Sequence, residues 1–172
     1  MKTLIISSSI SPNSKSFELC SYIKENLEKK LEDVDLLDAR DFDLRPHHQD
    51  PTESMKELSL KIKQTDSIII GMGVHCYSIN DSLKIILDNC FEYATGKFFG
   101  ILCAAGGEHS YLSTMHLTQI CMNEWRMIQL PRIVYASRKD FNNQGVISSE
   151  NLIERLELFS EEFVSIGSRL VL

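Results

Sequence analysis

Leu4-Ile5-Ile6-Ser7-Ser8-Ser9-Ile10-Ser11-Pro12-Asn13-Ser14-Lys15-Ser16 passes from a short apolar run into a serine loop and on into a long amphipathic helix. Serines at 9, 11, 14 and 16 gather hydroxyl donors where the first N–H groups of that helix point outward. A phosphate ester asks for such a setting: several neutral donors, the positive end of a helix dipole, and little bulk. Serine and asparagine also cap helices. One cap needs one serine, and several stand here. On the loop alone, phosphate binding and plain capping both stay open.

Working outward, the spacing predicts a helix over residues 14–31, where Phe17, Cys20, Ile23, Leu27 and Leu31 recur at helical intervals. A second apolar run covers 34–38, followed by a polar loop to residue 52 that holds His47, His48, Pro46 and Pro51. A helix over 52–64 leads to Ile68-Ile69-Ile70, an unbroken apolar strand of the kind buried on both faces, which Gly71 and Gly73 are expected to end. The pattern continues with a helix over 80–93 and a strand over 97–104. Gly106-Gly107 then precedes a helix between 109 and 125. Residues 128–135 read as a fifth strand bent at Pro131. Leu152, Leu156, Phe159, Phe163, Ile166 and Leu170 form one apolar seam on a final helix, most simply the cover of a sheet face. Five alternations of strand and helix mark an open parallel α/β sheet with helices on both faces. In such sheets ligands sit beyond the carboxyl ends of the strands.

With 172 residues the chain is expected to form a single domain over 1–172. A net charge of −6 argues against nucleic acid or an acidic membrane surface as partner. No apolar run nears the ~20 residues that span a bilayer, and no signal peptide is read at the N-terminus. Five cysteines without a C-x-x-C pair point to reduced thiols, hence a cytoplasmic protein, and the dispersed spacing offers neither a zinc frame nor an iron–sulfur site. His47-His48 likewise lacks a ligand frame, so no metal is expected.

Three loops therefore carry the chemistry. The first strand is not followed by G-x-G-x-x-G, and G-x-x-x-x-G-K-[ST] is absent, which argues against a dinucleotide fold and a nucleotide triphosphatase. The second loop, Gly73-Val74-His75-Cys76-Tyr77-Ser78, offers backbone amides beside aromatic and polar side chains. The third, Ala104-Ala105-Gly106-Gly107-Glu108, lets backbone approach a flat ligand, since glycine has no Cβ. One phosphate seat beside two such loops describes a mononucleotide with a planar ring, and FMN fits it best.

These residues resemble the NADPH-dependent FMN reductase family of flavodoxin-like proteins, which also includes quinone, azo-dye and chromate reductases. The family's serine loop has the form S-x-S-x-x-S-x-S, matched by Ser9, Ser11, Ser14 and Ser16. Its segment P-x-Y-x-x-S-x-x-x-x-L-K-x-x-x-D is met by Ser78, Leu83, Lys84 and Asp88, with Gly73 in place of the proline and His75 in place of the tyrosine. Gly96-Lys97 and Gly106-Gly107 resemble the ring-binding loop around strand four. The resemblance implies a three-layer αβα sandwich with a five-stranded parallel sheet in the order 2-1-3-4-5. It also implies hydride transfer from NADPH or NADH through FMN to a flavin, quinone or other small electrophile, and a dimer or tetramer. Ser9, Ser11, Ser14, Lys15 and Ser16 would surround the phosphate; residues 73–78 would line the ring and ribityl side; Ala105, Gly106 and Gly107 would border the pyrimidine edge. No catalytic triad is expected, because the chemistry is the cofactor's. The rival is a flavodoxin-like carrier that holds FMN without nicotinamide turnover; its usual T-x-T-G-x-T loop is not what Ser9–Ser16 presents.

Among single residues, Cys76 reads as a small filler and the Lys84–Asp88 pair as a local helix contact. His75 is the residue expected to meet the ring. Arg40, Arg45 and Lys15 are the cations available for a 2′-phosphate.

Overall fold

Two apolar runs of the chain lie side by side at the centre of the sheet, Ile5 opposite Ile69 and Ile6 opposite Ile70, with every side chain from Leu4 to Ile6 and from Ile68 to Ile70 buried. The computed structural model describes residues 1–171. Its strands are β1 (Thr3–Ser7), β2 (Val34–Asp38), β3 (Ser67–His75), β4 (Ser78–Ile79), β5 (Phe98–Ala104), β6 (Ile128–Gln129) and β7 (Val134–Ala136). The helices are α1 (Lys15–Glu28), α2 (Glu53–Gln64), α3 (Asp81–Cys90), α4 (Thr114–Glu124) and α5 (Glu150–Leu170). The sheet runs β2-β1-β3-β5, then β6 and β7 together beside β5, all parallel. This is the expected 2-1-3-4-5 order.

Each face of the sheet carries its own apolar layer. Leu4, Ile6, Ile68, Ile70, Phe99 and Ile101 pack against Leu58, Ile62, Leu83, Leu87 and Leu117 of α2, α3 and α4. Ile5, Ile69, Phe98 and Leu102 pack against Leu19, Ile23, Leu156, Phe159 and Phe163 of α1 and α5. Side chains alternate across a strand, so neighbouring residues of one strand feed opposite layers. The seam of α5 covers a sheet face, as expected. Trp125 packs at the edge of the other layer, its ring centroid 5.3 Å from that of Phe91.

Three local readings are corrected. Gly71 and Gly73 do not end the third strand; β3 continues to His75 and turns back into β4. Gly71 serves packing instead, since a Cβ there would lie 2.2 Å from the Cys20 sulfur of α1. The fifth strand is not bent but broken in two: Leu130 N still donates to Phe99 O at 2.7 Å, Pro131 has no N–H to continue the ladder, and pairing resumes at Val134. The sheet therefore counts seven strands rather than five, the short β4 being the other addition. The helix expected over 109–125 begins as a 3₁₀ turn at Tyr111–Ser113 and becomes α-helical only at Thr114.

Candidate functional site

The loops that follow β1, β3, β5 and β7 meet at one edge of the sheet around a cavity of about 310 Å³. Ser9, Ser11, Ser14, Lys15 and Ser16 form one side. Gly73, Val74 and His75 form a second, and Ala104, Ala105 and Gly106 a third. Arg138, from the turn after β7, completes the wall together with Asn13. Of the expected site residues, Cys76, Tyr77, Ser78 and Gly107 do not line this cavity; they lie at the hairpin tip, on β4 and in the loop after β5.

Within the serine loop the work is divided. Ser14 is the N-cap of α1, its Oγ accepting from Phe17 N at 3.1 Å. Ser9 Oγ accepts from Ser11 N at 3.3 Å, and Ser16 Oγ lies 3.0 Å from Ser14 Oγ. One serine therefore caps the helix, leaving Ser11 and Ser16 hydroxyls free of that duty beside the N-terminus of a 14-residue helix. Neutral donors, a helix N-terminus and two cations make a donor set suited to a phosphate. Lys15 Nζ sits over the Phe141 ring at 5.4 Å from its centroid.

A buried polar network ties the first two loops together. Ser8 Oγ donates to Gly71 O at 2.7 Å and lies 3.1 Å from Asn80 Oδ1, which also accepts from Gly73 N at 3.0 Å. Asn80 Nδ2 donates to Ser8 O at 3.0 Å and to Ser82 Oγ at 2.8 Å, and Ser82 Oγ donates to Ser8 O at 2.6 Å. Asn80 stands where a helix cap is expected yet makes no cap bond to α3. Its amide is spent on the two loops instead. Sequence reasoning missed this residue, and the only signal was an asparagine opening a helix.

The β3–β4 hairpin pairs His75 with Ser78, so Cys76 and Tyr77 form a two-residue turn with φ of 48° and 61°. Such turns demand positive φ at both positions, which non-glycine residues adopt at a cost of about 1–2 kcal/mol each. The turn projects Tyr77, whose hydroxyl donates to His109 O at 3.0 Å. Ser78 Oγ meets His116 Nδ1 at 2.9 Å, and His75 Nδ1 lies 3.5 Å from Asp81 Oδ1.

The loop after β5 is held from the other side. Tyr135 donates its hydroxyl to Gly107 O at 2.5 Å and accepts from Ser110 N at 3.3 Å, while Lys139 pairs with Glu108 at 2.7 Å. Burial raises the Tyr135 hydroxyl above its usual pKa. Gly106 and Gly107 have open space where a Cβ would stand, so the loop leaves room for a planar group.

Arg40 and Arg45 are already engaged. Arg40 forms an ion pair with Asp38, donates to Pro12 O at 3.3 Å and stacks over Phe17 at 4.5 Å, and Arg45 pairs with Asp43 at 3.1 Å. Hydrogen bonding to Asp38 raises the Arg40 guanidinium further above its usual range. A second cavity of about 360 Å³, between Arg40, Glu18 and residues 143–145, adjoins the first across Asn13, Ser14 and Lys15.

Residues 1–142 match the NADPH-dependent FMN reductase family. The chain belongs to that family. With membership come an oxidoreductase activity, FMN as cofactor and a reduced nicotinamide as electron donor. No curated protein sequence matches. Among solved structures, the flavoenzyme NAD(P)H:acceptor oxidoreductase FerB of Paracoccus denitrificans is similar over 100% of both chains, at 18% identity and a TM-score of 0.80. An NADH:FMN oxidoreductase in its apo form is similar at 18% identity and a TM-score of 0.79, covering 94% of this chain and 87% of that one. A flavodoxin of Streptococcus pneumoniae shares the fold at 14% identity and a TM-score of 0.67, over 96% of this chain and 99% of its own. The fold is thus common to the oxidoreductases and the flavodoxin.

Proposed function

We propose that this chain oxidises NADPH or NADH and passes the hydride through FMN to a small electrophile such as a free flavin or a quinone. The observation that carries the reading is the convergence of a serine loop, an amide-bearing loop and a glycine loop on one cavity at the carboxyl edge of the sheet. FMN supplies the hydride chemistry when bound; the protein binds and orients it and keeps its surroundings polar where charge develops. Ser9, Ser11, Ser14, Lys15 and Ser16 hold the phosphate. Gly73, Val74 and His75 line the ring and ribityl side through backbone N–H groups, with His75 meeting the ring and residues 76–78 closing the hairpin that carries them. Ala105 and Gly106 border the pyrimidine edge, and Tyr135 steadies the loop through Gly107.

Residues 1–172 act as one FMN-binding domain that assembles as a homodimer or homotetramer. Leu112, Met115 and Met122, on or just ahead of α4, leave 60%, 49% and 47% of their surface exposed beside the loop after β5, which supports a subunit contact near the cofactor. Exposed apolar patches of this kind mark association surfaces. A cytoplasmic setting is supported by five free cysteines, four of them buried. Among the described residues, no helix is long and apolar enough to cross a membrane. The serine loop, unlike that of carriers, favours the reductase over the flavodoxin-like alternative.

The test is anaerobic oxidation of NADPH and NADH, followed at 340 nm with a quinone or free flavin as acceptor, in protein with and without added FMN. Turnover that depends on FMN supports the reductase. FMN binding without turnover makes the chain a carrier.

A further inference from the structure

We infer that Arg138 is the charged partner of the phosphate and makes the cavity select a phosphorylated flavin over the unphosphorylated one. The inference rests on the FMN reading above and names a residue outside the family's serine loop. A phosphate monoester carries close to two negative charges, whereas the hydroxyls of Ser9, Ser11, Ser14 and Ser16 carry none. The protein as a whole has a net charge of −6, so cations at the cavity add to what the neutral donors and the helix N-terminus offer a dianion. Two line the cavity, Lys15 and Arg138, and no acidic residue does.

Lys15 stands where this cavity meets its neighbour and lines both. A Cβ on Gly145, which has a φ of 86°, would lie 2.1 Å from Lys15 Nζ, so the ammonium rests on that loop and over Phe141. Arg138 has neither an ion pair nor a side-chain hydrogen bond among the described residues. Its neighbours are engaged: Lys139 with Glu108, and Asp140 with Arg155 at 3.9 Å.

The turn that carries Arg138 is rigid at its base. Ala136 pairs with Ala104 at the end of β7, and Ala105 N donates to Ala136 O at 2.9 Å. Asp140 then folds back on Ser137, whose N and Oγ donate to Asp140 Oδ2 at 2.7 and 3.2 Å, while Asp140 N donates to Ser137 O at 3.1 Å to close the turn. A guanidinium on a fixed stem, lining the same cavity as the hydroxyls, suits the fork geometry of phosphate recognition.

The experiment is equilibrium titration of the wild type, Arg138→Ala and Arg138→Lys with FMN and with riboflavin, read by flavin fluorescence. The wild type is expected to prefer FMN. Arg138→Ala is expected to bind FMN roughly 10- to 100-fold more weakly and riboflavin as the wild type does, with Arg138→Lys in between. Unchanged FMN affinity in Arg138→Ala overturns the inference, as does an equal loss for both flavins. So does a variant altered only in its KM for NADPH relative to NADH, which would place the guanidinium on the nicotinamide's phosphate. A wild type that binds neither flavin defeats the FMN reading itself, and this inference with it.

Discussion

Asn80 donates its amide to the carbonyl of Ser8 at 3.0 Å across 72 residues of chain. The same side chain accepts from Gly73 N at 3.0 Å, so the loop after β1 and the end of β3 are fastened to one buried amide. Asn80 is 1% exposed and Ser8 fully buried. Removing the amide leaves the Ser8 carbonyl with Ser82 alone and Gly73 N–H without its partner.

Asn80→Ala is therefore expected to cost about 1–3 kcal/mol of stability and to weaken FMN binding at the same time. Asn80→Asp keeps the acceptor and loses the donor, and falls between. Urea denaturation beside an FMN titration checks both effects. A stable Asn80→Ala protein with undisturbed FMN binding would show that the two loops need no tie.

Tyr135→Phe removes the bonds to Gly107 O and from Ser110 N while keeping a ring at 5.6 Å from Tyr111. Each hydrogen bond contributes about 0.5–1.5 kcal/mol net. Faster amide exchange confined to residues 105–110 is the expected outcome, read by mass spectrometry. Uniform exchange across β5 as well would mean the tyrosine holds the sheet rather than the loop.

The thiols set an alkaline limit. Burial pushes Cys90, Cys103 and Cys121 up to about 12, and Cys20 also upward. Unfolded, these groups release protons near their ordinary value of 9.0, so above that pH the folded state holds protons the unfolded state has lost. Stability contributed by the neutral thiols is complete below pH ~9 and falls as pH rises toward ~12. Lys97, which burial lowers, opposes this as one group against several. Urea midpoints from pH 7 to 11 should be flat and then decline. At neutral pH only the exposed Cys76 should react rapidly with a thiol reagent, the other four reacting on unfolding.

Met115→Glu places a charge in the exposed apolar face formed with Leu112 and Met122. If that face joins two copies, the substitution raises the dimer dissociation constant by at least about 30-fold, measured by light scattering on a size-exclusion column. An unchanged mass distribution would move the subunit contact elsewhere.

What could be read in advance was what is local. Ile68-Ile69-Ile70 is apolar on both faces because both faces are covered, and the seam of α5 keeps helical period because one stripe meets the sheet. That the serine loop lines the cavity could be anticipated because its hydroxyls are neighbours in the chain. Gly71 was misread as a strand end because its reason, the Cys20 sulfur, arrives from 51 positions away on α1. Arg138 and Asn80 were missed for the same cause: nothing near them in the chain says that β7 and β3 end at the serine loop. Pro131 was read as a bend, whereas a missing N–H at an edge ends the pairing.

A serine loop that holds a phosphate, rather than merely capping α1, shows itself in one titration. Ser11 and Ser16 do not cap the helix, so Ser11→Ala combined with Ser16→Ala should leave the thermal midpoint within a few degrees of the wild type. The same double variant should bind FMN at least about 100-fold more weakly, since each lost bond to a charged group costs about 1.5–3 kcal/mol. FMN bound as tightly by the double variant as by the wild type would mean that these hydroxyls do not hold the phosphate.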